Sequence, residues 1–179
     1  MDIRFGTDGW RDVIAAGFTF ANVRRAAAAY ADHLVARGGG LVLVGYDTRF
    51  LGREFAEQTA AVLAERGLEA RVSVEYLPTP ALSFAVRRYG AAGGVMITAS
   101  HNPPKYGGFK LKGPYGGTAT EAIYADVASR VPAGPVPEGR GSFGTFDVRD
   151  DYYEALEALV DVEALRAAAP RIVHDAIGG

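Results

Sequence analysis

The sequence contains no cysteine in 179 residues, which excludes a disulfide, a thiolate nucleophile and a thiolate metal site. No apolar run approaches the roughly 20 residues that a bilayer-spanning helix requires. Met1 leads directly into Asp2 and Arg4, without the apolar stretch of a secretory leader. Histidine is scarce too: His33, His101 and His174 have no zinc-ligand spacing among them. A net charge of −2 argues against a general nucleic-acid binder. Neither a G-x-G-x-x-G nor a G-x-x-x-x-G-K-[ST] sequence follows a strand pattern, which removes the usual nucleotide cradles. Lysine is rare, three residues against 16 arginines, and we read this as a composition bias of the genome. These absences leave a soluble, cytoplasmic protein with no nucleic-acid or membrane partner. Its 49% hydrophobic and 22% charged residues are sufficient for a packed core.

Strand and helix patterns alternate along the chain. Ile3 and Phe5 can pair with Val13 and Ile14 in a short hairpin around the Gly6–Gly9 turn. Thr19 is a helix N-cap, and Phe20, Val23, Ala27, Tyr30 and Leu34 set an apolar stripe over residues 20–37. Gly38–Gly40 end that helix, and Leu41–Val44 reads as a strand buried on both faces. A helix follows over 53–66. Residues 70–76 alternate as a strand near the sheet edge. Thr79 caps a helix over 80–89. Val95–Ile97 is a buried strand, Phe109–Lys112 a returning strand, and Thr120 starts a helix to about Arg130. Three prolines and three glycines in residues 132–141 mark a crossing loop. Phe143–Val148 suggests a short strand, Asp150 caps a helix, and Val162–Ala169 continues it with a bend. Arg171–His174 looks like a further strand. The alternation predicts a three-layer α/β/α domain with a mixed, mostly parallel sheet and right-handed crossovers.

The chemistry concentrates in Gly93–Lys112, GGVMITASHNPPKYGGFKLK. Pro103 and Pro104 lack amide hydrogens, and the first disfavours a helical Asn102, so the chain stays extended after the strand. Ser100 and His101 are thereby held at a strand end, where open α/β sheets bind ligands. Loops after strands also present Arg11, Asp47, Arg49, Asn102 and Lys110. A hydroxyl in a cationic, glycine-lined loop suits a phosphoryl group. A serine–histidine hydrolase fits poorly: the two residues are neighbours on an extended chain, and no G-x-S-x-G elbow is present. A plain turn stabilised by Ser and Asn side chains is the competing reading. His33 and His174 are read as structural.

Four segments, FGTDGWR (5–11), GYDTRFLG (45–52), TASHNPPKYGGFK (98–110) and the tail RIVHDAIGG, resemble the N-terminal domain of the α-D-phosphohexomutases, the bacterial phosphoglucomutase/phosphomannomutase group. The resemblance implies that Ser100 carries the phosphoryl group, passing it to a hexose phosphate by way of a bisphosphate. It implies Lys110 as general acid/base and His101 as a member of the catalytic loop. It further implies Arg11, Arg49, Asn102 and Lys110 as phosphate or substrate contacts. Mg2+ is the implied metal, bound in part through the phosphate oxygen on Ser100, and hexose 1,6-bisphosphate the implied activator. The family has four domains, so the remaining partners are a hexose phosphate and domains II–IV of the same chain. Residues 1–131 would be the domain I core, 132–170 a connection, and 171–179 the first strand of domain II. On that reading the 179 residues are inactive by themselves; a phosphosugar-binding module without chemistry is the alternative. Two positions depart from the family pattern: Gly107 stands where asparagine is frequent, and Leu51 where serine is common.

Overall fold

Residues 3–175 are described by the computed structural model. In chain order the elements are β1 (Trp10–Val13), α1 (Phe20–Val35), β2 (Leu41–Tyr46), α2 (Gly52–Glu65), β3 (Glu69–Ser73) and α3 (Thr79–Arg88). There follow β4 (Gly93–Ile97), β5 (Tyr106–Lys112), α4 (Glu121–Ser129), β6 (Gly144–Phe146), α5 (Arg149–Glu157) and α6 (Val162–Ala168). The strands form one sheet in the order β1-β5-β4-β2-β3-β6. The β4–β2, β2–β3 and β3–β6 pairs are parallel, and β5 is antiparallel to both of its neighbours. The mixed, mostly parallel sheet with helices on both sides is therefore as predicted.

One face carries α1, α2 and α4. Tyr30, Phe55 and Val127 from these helices pack on Val42, Val44, Val95, Ile97, Phe109 and Leu111 of the sheet. The run Ala26–Ala29 in α1 is wholly buried. Small side chains there let α1 lie close to its neighbours, and alanine also has the highest helix propensity. The opposite face carries α3, whose Leu82, Ala85 and Val86 cover Leu43 and Met96, with α5 added through Tyr152. The chain moves from β2 to β3 over the first face and returns from β3 to β4 over the second. Opposite directions over opposite faces give the two crossovers one hand, as the handedness rule requires.

Thr19 and Thr120 cap as expected, accepting from Asn22 N and Ile123 N. Other expectations require correction. Ile3–Phe5 form no strand; the turn closes through a single Gly6–Gly9 bridge, and β1 pairs with β5 instead. Thr79 is the first helical residue rather than the cap, because Pro78 has the extended backbone of an N-cap. Asp150 lies inside α5; Asp147 supplies the local bond, accepting from Arg149 N at 3.0 Å. β3 does lie near the sheet edge as expected, one strand in, with β6 pairing along its outer side. Residues 171–174, expected as a strand, form none, and 176–179 of the tail lie outside the described residues.

The proline-rich stretch 132–141 is a strap over α1 and α2. Arg25 Nε donates to Pro132 O at 2.8 Å and Arg24 Nε to Val136 O at 3.0 Å, while Arg140 N reaches Glu65 Oε1 at 2.5 Å. The strap carries the chain from α4 to the far edge of the sheet.

Candidate active site

The parallel strands β2 and β4 end on the same rung, with Tyr46 opposite Ile97 and Asp47 N bonded to Ile97 O at 3.1 Å. Their continuing loops therefore meet. Beyond β4 the chain turns through 98–105 and re-enters the sheet as β5, which places Lys110 opposite Met96. A single hairpin thus supplies both a hydroxyl and an amine. Lys110 Nζ donates to Ser100 Oγ at 2.8 Å and to Asp8 Oδ2 at 2.6 Å.

The Lys110 side chain is 7% exposed and Asp8 41% exposed. Ser100 is at the surface. The ammonium is consequently shielded along its stem and open only toward the serine and the carboxylate. Asp8 also accepts from Arg11 Nη2 at 3.2 Å, and Arg11 Nη1 donates to Asn102 Oδ1 at 3.3 Å. Asp8, Arg11, Ser100, Asn102 and Lys110 form one connected polar cluster. Lys112, two residues on and on the same side of β5, is also buried; burial lowers its pKa, partly offset by Asp8. Two hydrogen-bonded cations, Lys110 and Arg11, against one carboxylate leave the Ser100 hydroxyl in a positive field suited to an anion.

The backbone builds this arrangement at a cost. Ser100 has φ +54, a left-handed conformation. A non-glycine residue held there costs on the order of 1–3 kcal/mol. Two kinds of bond hold it. Thr98 Oγ1 accepts from Ser100 N at 3.0 Å, so the local side-chain turn is made by Thr98 and leaves the Ser100 hydroxyl free for Lys110. The Arg49 guanidinium meets four carbonyl oxygens: Pro103 at 2.9 Å, Tyr106 at 3.0 Å, Ser100 at 2.8 Å and Asn102 at 2.6 Å. Hydrogen bonds from a charged donor contribute roughly 1.5–3 kcal/mol each. Even heavily discounted for solvent, several outweigh the strain at Ser100.

Two glycines are required by close approach. Gly9 has φ +95, and a Cβ on it would lie 2.5 Å from Phe109 O and 3.1 Å from Lys110 Cγ. Removing that Cβ lets the Asp8 turn settle onto Lys110. At Gly107 a Cβ would lie 2.3 Å from the ring of the fully buried Phe18. Phe18 fills the space that a side chain at 107 would need, which accounts for glycine at this departure from the family pattern.

The residues singled out in the sequence divide into three groups. Ser100, Lys110, Arg11 and Asn102 come together. His101 is exposed beside them and joins no hydrogen bond among the described residues. Arg49, expected to bind phosphate, has its terminal nitrogens turned onto loop carbonyls. Asp8 was read only as a turn residue, yet it joins Lys110 to Arg11; its sole sequence signal is its place between two glycines ahead of Trp10 and Arg11. A cavity of about 310 Å3 lies elsewhere, lined by residues such as Ser73, Tyr76, Phe146 and Tyr152, and does not include this cluster. No helix of the described residues is long and apolar enough to cross a membrane.

Residues 2–134 match the family model described as phosphoglucomutase/phosphomannomutase, alpha/beta/alpha domain I. A phosphoglucomutase from Staphylococcus saprophyticus is 41% identical over 177 residues, an alignment covering 88% of this chain and 32% of that protein. A probable phosphoglucosamine mutase from Methanothermobacter thermautotrophicus is 36% identical, over 89% of this chain and 36% of its own length. Among solved structures, a putative phosphomannomutase from Thermus thermophilus superposes with a TM-score of 0.90 at 48% identity, over 92% of this chain and 38% of that one. The chain spans about a third of the length of the curated relatives it matches. With the fold, the family match and the sequence identity in agreement, the chain belongs to the phosphoglucomutase/phosphomannomutase family, of which residues 2–134 form domain I.

Proposed function

We propose that Ser100 is the phosphoryl carrier of a phosphohexomutase acting on hexose phosphates such as glucose or mannose 1-phosphate, through a hexose bisphosphate. The observation that carries this reading is the 2.8 Å hydrogen bond from Lys110 to the Ser100 hydroxyl, with Asp8 on the other side of the ammonium. A serine monoester is stable in water until a site closes around it. Phosphoryl transfer requires in-line positioning and charge neutralisation more than covalent assistance. Lys110 and Arg11 supply the charge.

In the transfer step a sugar hydroxyl attacks the phosphorus on Ser100. The new P–O bond forms as the bond to Oγ breaks. Lys110 gives its proton to the departing serine oxygen and takes up the proton released by the sugar hydroxyl. The second transfer runs in reverse: Ser100 attacks the other phosphate of the bisphosphate, and the isomerised monophosphate leaves.

Mg2+ is part of this proposal, but the described residues do not fit a cage for it. No group of three or more His, Asp or Glu among them could hold a metal ion. A phosphorylated Ser100 would supply phosphate oxygens but no carboxylate, and Mg2+ requires a near-octahedral set of oxygen ligands. The remaining ligands, and the contacts that distinguish one sugar from another, are assigned to the further domains that the relatives' greater length leaves room for.

The test is phosphopeptide mapping after incubating the complete enzyme with labelled glucose 1,6-bisphosphate. Label on Ser100 is expected. Label on Thr98 or another serine overturns the assignment, and bisphosphate binding without any label favours a phosphosugar-binding module.

A further inference from the structure

We infer that Arg49 is a positioning residue that sets the backbone of the Ser100 loop, and that it does not bind the substrate's phosphate. The reason starts with the composition of the loop. Pro103 and Pro104 have carbonyl oxygens but no amide hydrogens. The stretch 100–105 therefore contains more acceptors than donors, and it lies between β4 and β5 rather than within either strand. A guanidinium offers five N–H groups in a rigid plane and no acceptor. Arg49 supplies what the prolines remove.

The geometry uses the whole fork. Nη1 donates to Pro103 O and Tyr106 O, and Nη2 to Ser100 O and Asn102 O, all within 3.0 Å. Nε faces Asp47 Oδ2 at 3.4 Å, while Asp47 Oδ1 accepts from Arg49 N at 3.1 Å, so the arginine is itself fixed at the end of β2. Its side chain is 15% exposed. An incoming phosphate would have to displace these carbonyls and leave them unpaired.

The clamp also orients the site. Every described peptide bond is trans. The His101 N–H shares a peptide plane with Ser100 O and points the opposite way. With Ser100 O drawn onto Arg49, the His101 amide faces away from the guanidinium, and it has no partner among the described residues. The pull on Ser100 O also holds the serine at φ +54, the conformation in which Oγ meets Lys110. Arg49 thus acts on the chemistry through the backbone.

The functional arm of the test rests on the phosphoryl-transfer reading; the first arm needs no ligand. Arg49→Lys and Arg49→Ala are compared with the wild type by amide hydrogen exchange across residues 98–107, with thermal unfolding as the control for global stability. Lysine donates from one point and does not span four carbonyls. Both variants are expected to keep a cooperative transition while exchange at Ser100 and Asn102, whose amides are bonded within the loop, rises about tenfold or more. Unchanged exchange in both variants overturns the inference whatever the enzyme does.

In the second arm the complete enzyme is labelled with glucose 1,6-bisphosphate. The expected result is a fall of roughly 100-fold in the labelling rate, the scale of a 1 Å misplacement. The half-saturating bisphosphate concentration should move less than about threefold, and millimolar guanidinium should partly restore the Ala variant. A large rise in half-saturation at an unchanged maximal rate shows direct phosphate binding and overturns the inference. If the wild type takes no label, the transfer reading has failed, and the exchange measurement alone decides the role of Arg49.

Discussion

Lys110 and Ser100 stand ten positions apart in the chain and 2.8 Å apart in space, joined by a hydrogen bond from the ammonium to the hydroxyl. Register alone produces this. β4 and β5 run antiparallel, and Lys110 falls opposite Met96, one rung inside the loop that carries the serine.

The first expectation concerns that amine. Lys110→Ala in the complete enzyme should lower turnover by roughly two to four orders of magnitude, the range for a lost general acid/base. The fold should persist, because Phe109 and Leu111 on the other side of β5 still pack. Turnover within a few-fold of wild type would reduce Lys110 to a surface charge.

Gly107→Ala should destabilise the domain by about 1–3 kcal/mol, the usual cost of forcing extra volume into a packed core. The added Cβ meets the Phe18 ring, itself wedged against Trp10 and Phe55. Urea denaturation reads the change directly. A loss below about 0.5 kcal/mol would mean that Phe18 moves aside freely.

A third expectation is pH dependence far from the site. His33 Nδ1 lies 2.6 Å from Asp126 Oδ2, and Arg130 and Arg37 approach the same carboxylate at 3.1 Å. The hydrogen bond with His33, then those cations, hold the Asp126 carboxyl below its ordinary pKa. The folded state therefore releases this proton more readily than the unfolded chain. The resulting stability is fully present above the ordinary aspartate value, about 4, and is lost as pH falls through the lowered folded value. Urea midpoints of wild type and Asp126→Asn should differ above the ordinary aspartate range and converge as pH falls below it. A gap that widens in acid would contradict this.

The sequence made Ser100, Lys110, Arg11 and Asn102 legible because their residue types, strand ends and prolines all point one way. Asp8 was not legible. Its partner Lys110 is 102 positions away, and an aspartate between glycines reads as a turn in any protein. Arg49 falls on the right loop in the sequence, but the four carbonyls its guanidinium meets were not legible there. A guanidinium among glycines suggests phosphate, and the direction of four carbonyls is a property of the folded backbone that residue type does not encode. The place of β3 near the sheet edge was legible in its alternating pattern; its pairing with β6 was not, because that strand arrives from beyond the strap, more than 70 residues later.

The strap over α1 and α2 has a consequence for how these molecules behave in company. By delivering β6 to the side of β3, it leaves the sheet terminating in strands of only four residues, β1, and three, β6. Short borders offer few unsatisfied amides and carbonyls to another chain, one of the ways natural sheets resist joining edge to edge. Excising 132–148 would remove the pairing of Arg71–Ser73 with β6 and make the five-residue β3 the border of the sheet. The loop that looks most dispensable is therefore the one that decides how short this border is.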